Sequence, residues 1–136
     1  MKVSAQRRNE LIAAAQQARS NAYAPYSKYT VGAALLTESG DVYIGVNVEN
    51  SVYSETICAE RSAVFGAVSK GERKFSAIAV ATENGGSPCG SCRQVLSEFG
   101  LDILVLMVNS EGEVVREATV AELLPSSFGP DDLATS

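Results

Sequence analysis

Two almost uninterrupted apolar runs, Phe75-Ser-Ala-Ile-Ala-Val-Ala81 and Ile103-Leu-Val-Leu-Met-Val108, constrain this chain more than anything else in it. Each has the length of a strand, and a strand apolar at nearly every position is one covered on both faces. The segment between them reads as a helix from about Cys89 to Phe99. Ser87-Pro88 supplies a cap followed by proline at the first helical position, and Gly100 ends it. Two buried strands separated by a helix point to a parallel pair with helices on both faces of the sheet.

The rest of the chain fits around that unit. Ser4 can cap a helix to about Ala22, with Leu11, Ile12, Ala15 and Ala18 on one face. Asn21 to Lys28 reads as a loop. Thr30 to Thr37 and Val42 to Val48 form a hairpin about the turn Glu38-Ser-Gly-Asp41. Asn47 to Ser54 continues as a strand end and loop, and Cys58 to Lys70 is a helix with Gly71 just past its end. Ser54 or Thr56 is the expected cap of that helix. Glu113 to Glu117 is a further strand, Thr119 to Leu124 a short helix with Glu122 completing a capping box, and the tail from Pro125 is loop-like. The expected fold is α/β: one domain over residues 1–136, in three α/β/α layers about a mixed, five-stranded sheet. Both cysteine-bearing helices start beside strand ends, where sites in such sheets collect.

Charge and composition narrow the partners. The chain has 11 basic and 16 acidic residues, net −5, and no basic cluster to displace counterions from a polynucleotide. A small-molecule substrate is expected, and no nucleic acid. No apolar run approaches the ~20 residues of a membrane span, and the N-terminus lacks the apolar core of a signal peptide, so a cytoplasmic protein is expected.

There is no histidine, so proton transfer near neutral pH falls to Glu, Asp, Lys, Tyr or Cys, and a transition-metal site must rely on thiolate. The three cysteines all lie at expected helix starts. Cys89 and Cys92 form Cys-x-x-Cys on one face of a first turn, and Cys58 opens the other helix. Helix N-termini favour thiolate. If the two ends converge, three sulfurs meet in a donor set that suits zinc and leaves a fourth position open, the arrangement of a catalytic site. Three other readings stand beside it. A Cys-x-x-Cys redox pair leaves Cys58 idle, a structural zinc site needs a fourth ligand, and inert buried thiols leave three coincident helix starts unexplained. Glu60, two residues beyond Cys58, is the nearest candidate base. Arg61, at i+3 from Cys58, can offset thiolate charge or can be a solvated surface residue.

Cys58-Ala-Glu60-Arg61 with Ser87-Pro-Cys-Gly-Ser-Cys-Arg-Gln94 resembles the zinc-dependent cytidine deaminases, in the small form with three thiolates. Tyr23-Ala-Pro-Tyr-Ser-Lys-Tyr29, Val31-Gly-Ala-Ala-Leu35, Asn47-Val-Glu49-Asn50 and Leu123-Leu-Pro125 with Phe128-Gly-Pro130 extend the resemblance over nearly the whole chain. It implies one zinc ion per chain on Cys58, Cys89 and Cys92, and hydrolytic deamination of cytidine and 2′-deoxycytidine in pyrimidine salvage. A zinc-activated hydroxide would attack C4 of the base, with Glu60 as proton shuttle. The backbone at Ala59 and Cys89 would read the pyrimidine edge, and Asn47 and Glu49 would hold the ribose. Tyr29 stands where the family often has Phe against the base; its hydroxyl is a departure. Phe128 would close the pocket and Tyr53 would reach a neighbouring subunit's site in a homotetramer, though either could be a core or interface aromatic. A deaminase of a related nucleoside such as blasticidin S, a polynucleotide deaminase and a non-catalytic zinc module are the competing readings.

Overall fold

The computed structural model describes residues 3–134. Five strands, β1 (Gly32–Thr37), β2 (Val42–Val46), β3 (Phe75–Ala81), β4 (Leu104–Val108) and β5 (Val114–Thr119), form one sheet in the order β2-β1-β3-β4-β5. The two apolar runs are its centre and pair in parallel, Ala77 opposite Leu104 through Ala81 opposite Val108. All other neighbours are antiparallel, so the sheet is mixed.

Helix α1 (Ala5–Arg19) covers one face; α2 (Ala59–Ser69) and α3 (Gly90–Phe99) cover the other. Strand alternation divides the central side chains between the two faces, and in β3 it sends Ala77, Ala79 and Ala81 to one and Ile78 and Val80 to the other. Ala34, Ala77, Ala79 and Ala81 turn towards α1, whose Leu11 and Ala15 fill the shallow space they leave. Leu35, Ile78, Val80, Val105 and Met107 turn towards Ala59, Ala63, Val64, Ala67 and Leu96. The three layers and the five strands agree with the sequence expectation.

Gly45 in β2 fixes the height of α2 over the sheet. A Cβ there would lie 2.4 Å from Ala63 N and 2.5 Å from Ala59 O, so the helix rests directly on the strand backbone. That contact seats the first turn of α2, where Cys58, Ala59 and Glu60 sit.

Element ends differ from expectation at the caps. Cys58 and Cys89 are themselves the N-caps of α2 and α3, and neither thiol makes a capping hydrogen bond. Thr56 does not cap α2, because its hydroxyl accepts from Asn50 N–H. Pro88 stands before α3 and not at its first position, because the Ser87 hydroxyl is taken by Arg93. Helix α1 stops at Arg19, three residues short of Ala22, where Ser20, Asn21 and Ala22 close into turns. Tyr53–Glu55 is a single 3₁₀ turn, and the tail holds a second short helix (Pro130–Leu133) after α4 (Val120–Leu123). The Thr119–Glu122 capping box is present as expected.

Candidate metal centre and active site

The two cysteine-bearing helix starts converge. The sulfurs of Cys58 and Cys89 are 3.9 Å apart and those of Cys89 and Cys92 are 3.5 Å apart, with all three inside 4.8 Å. A tetrahedral ion with Zn–S bonds of about 2.3 Å requires sulfurs roughly 3.8 Å apart, so the spacing matches the ion. It is far too long for a disulfide, and all three thiols are free. Two N-cap positions and the third residue of α3 carry the sulfurs, so both helix dipoles point their positive ends at them.

Charge inside the cluster is uneven. The Cys58 thiol is lowered to about 5, by the hydrogen bond from Cys92 and then by the Arg61 guanidinium. The same pairing with Cys58, and then burial, push Cys92 upwards. The Arg61 Nη2 donates to Cys58 Sγ at 3.1 Å, so Arg61 faces the ligand and not solvent. Glu60, only 5% exposed, is the one buried carboxylate of the described core. Burial raises its carboxyl to about 7, with the neighbouring Cys58 charge adding to the effect.

A cavity of about 270 Å³ opens over this floor, near the lower end of small-molecule pockets. Cys58, Ala59, Glu60 and Cys89 form one end, with Val80 and Thr82 from the end of β3. Tyr29, Asn47 and Glu49 line the walls. The two polar residues are already engaged, however. Asn47 accepts from Val31 N–H at 2.9 Å and donates to Tyr29 C=O at 2.8 Å. Glu49 accepts from Tyr26 and Ser27 N–H at 2.9 and 3.1 Å and from the Ser27 hydroxyl; that hydroxyl bond leads in holding its carboxyl below the usual range. Both residues shape the 26–31 wall while facing the cavity.

Tyr53 and Phe128 do not line this cavity. Tyr53 is 75% exposed, tilted against Tyr26 beside the mouth, while Phe128 lies on the surface with its carbonyl bound by Gln94.

Arg93 escaped the sequence reading. Its guanidinium donates to Pro88 C=O at 2.8 Å, the Ser87 hydroxyl at 2.7 Å and Leu123 C=O at 2.7 Å, bracing the segment that enters Cys89 against the end of α4. The only signal was its place directly after Cys92, since a three-way clamp across 30 residues has no local pattern. Arg93→Ala frees the Ser87-Pro88 segment that leads into Cys89 and should release zinc about tenfold faster to a coloured chelator, the scale on which supporting contacts around metal ligands act. Arg8→Ala breaks the remote Arg8–Glu117 ion pair and should leave release unchanged. Equal release from both variants would reduce Arg93 to a general brace.

Comparison with known proteins agrees with this geometry. Residues 5–108 match the family model described as the cytidine and deoxycytidylate deaminase zinc-binding region. A cytidine deaminase of Sporosarcina psychrophila is 52% identical over 128 residues, covering 92% of this chain and 93% of that one. One from Mycobacterium tuberculosis is 42% identical, covering 92% of each. The crystal structure of cytidine deaminase from Burkholderia pseudomallei superposes with a TM-score of 0.85 at 45% identity, covering 93% of this chain and all of that one. The sulfur cluster is a zinc site, one ion per chain, and the chain belongs to the zinc-dependent cytidine and deoxycytidylate deaminases.

Proposed function

We propose that the chain converts cytidine and 2′-deoxycytidine to uridine and 2′-deoxyuridine with release of ammonia, as a cytoplasmic enzyme of pyrimidine salvage. The observation that carries this reading is one buried carboxylate, Glu60, beside three convergent thiols on the floor of a nucleoside-sized cavity.

Cys58, Cys89 and Cys92 would hold the zinc ion, which would supply Lewis acidity and a more readily ionised water at neutral pH. Glu60 does the proton work. Without metal, burial raises its carboxyl; as a carboxylate it can both accept a proton and return it, first to ring N3 and then to the departing amine. One water enters, the C4–N4 bond breaks, and ammonia leaves. Arg61 offsets the negative charge of the thiolates, keeping the site electrophilic. Asn47 and Glu49 present the 26–31 wall to the sugar, while the backbone of Ala59 and Cys89 faces the base edge. Tyr53 and Phe128, exposed and outside their own chain's cavity, suit a homotetramer in which they complete neighbouring sites.

The test is the ultraviolet change on cytidine conversion, with and without chelator, alongside metal analysis per chain. Cytidine and deoxycytidine should be consumed by the zinc-loaded protein only. Faster turnover of blasticidin S, or of single-stranded DNA or RNA, would move the assignment to those substrates.

A further inference from the structure

We propose that the Tyr29 hydroxyl, Asn84 and Gly86 form a clasp across one edge of the cavity mouth, holding the Tyr29 ring as a preset wall for the nucleoside and so setting how tightly substrate is bound. The inference rests on the deaminase reading above and adds a specific positioning device to it.

Two loops face each other across this edge: residues 23–31 before β1, and residues 82–88 between β3 and α3. Tyr29 joins them, its hydroxyl donating to Asn84 Oδ1 at 2.8 Å. Asn84 is not a loose acceptor. The Thr82 hydroxyl lies 3.4 Å from the same oxygen and itself accepts from Gly85 and Gly86 N–H at 2.8 Å each. Thr82 is buried at the end of β3, so the clasp is anchored to the centre of the sheet.

The space for the hydroxyl is provided by Gly86. A Cβ at that position would lie 2.6 Å from the Tyr29 hydroxyl. Tyr29, Thr82 and Gly86 all line the cavity, so the ring and the gap that admits its hydroxyl belong to the cavity wall.

The opposite side of Tyr29 is equally fixed. Its N–H donates to the Ser27 hydroxyl, its C=O accepts from Asn47, and Lys28 before it takes a left-handed φ of 62°. A non-glycine residue there is unfavourable unless the surroundings hold it. With the backbone pinned, the clasp removes the remaining swing of an otherwise 40% exposed ring. Ordering that ring beforehand spares the ligand the cost of ordering it on binding. The effect should fall on binding and not on chemistry, because the clasp's hydrogen bonds run among Tyr29, Asn84 and Thr82 and engage neither Glu60 nor the sulfurs.

The experiment compares KM, kcat and zinc content for cytidine in Tyr29→Phe, Asn84→Ala, the double variant, Gly86→Ala, and Gly86→Ala within Tyr29→Phe. Loss of one hydrogen bond should raise KM roughly three- to tenfold in either single variant, with kcat within about twofold and zinc unchanged. The product's inhibition constant should shift alongside KM. The double variant should be no worse than a single one, the mark of a shared interaction. Gly86→Ala should raise KM in the wild-type background and add nothing to Tyr29→Phe, where the hydroxyl it strikes is absent.

A KM effect confined to Tyr29→Phe would mean that the hydroxyl meets substrate directly, and would overturn the clasp. So would additive singles, or a lowered Tm with unchanged KM. Wild-type turnover is the internal control. Its absence overturns the deaminase reading and the clasp together, whereas turnover indifferent to these substitutions overturns the clasp alone.

Discussion

Glu60→Gln should stop deamination while leaving zinc and fold in place. The amide keeps the shape of the side chain but can neither take a proton nor return one, and general acid–base catalysis contributes about 10²–10⁴-fold. Both transfers run through this one group, so kcat should fall at least about a thousandfold by the ultraviolet assay, at one zinc per chain. A loss of only a few-fold would assign the proton work elsewhere. The same substitution should also change stability. Burial raises the Glu60 carboxyl from its ordinary 4.5 to about 7, so between these values the folded chain binds more protons than the unfolded one. In metal-free protein the resulting stability is fully present below about 4.5 and is lost as pH rises through 7. The loss is on the order of 3 kcal/mol, and Gln does not suffer it. Urea unfolding of both metal-free proteins at pH 5 and pH 8 measures the difference. Parallel curves would show that Glu60 carries no such strain.

Cys58→Ala should abolish zinc retention and, with it, activity. It leaves two sulfurs, both from α3, and strips Arg61 of its acceptor. The broader consequence is thermal. A ligand that binds only the folded state at a thousandfold excess over Kd stabilises it by about 4 kcal/mol. For a chain of this size that is a shift in Tm of about 10 °C. Calorimetry should therefore show wild-type protein gaining this much on zinc addition and Cys58→Ala gaining almost nothing. A shared gain would place the ion somewhere other than the sulfur cluster.

Much of this was legible in local sequence. The two apolar runs announced the central parallel pair because burial on both faces removes polar alternation. The finer pattern of the first run, Ala77, Ala79 and Ala81 towards α1 with Ile78 and Val80 towards α2 and α3, was also written in its residues but needed the register to be read. The metal site was legible because three cysteines at helix starts, without a histidine, leave few other uses. The caps were missed for a related reason: Cys58 and Cys89 occupy the cap positions themselves, displacing Thr56 and Ser87 to other partners. Arg93 and the Tyr29–Asn84 contact join residues 30 and 55 apart, and no periodicity encodes such pairs. Asn47 and Glu49 were found as polar residues facing one way, yet their main-chain partners in the 26–31 wall emerged only with the fold.

Cys58 and Cys89 are separated by 31 positions, and β3, the strand paired on both edges at the middle of the sheet, lies wholly between them. Bound zinc would thus be a reversible staple that closes a ring of chain containing the middle strand of the sheet. Closing such a ring in the denatured chain is entropically unfavourable, by an amount that grows slowly with its length. The same ion that equips the chemistry therefore ties together the two ends of the path from α2 through β3 to α3.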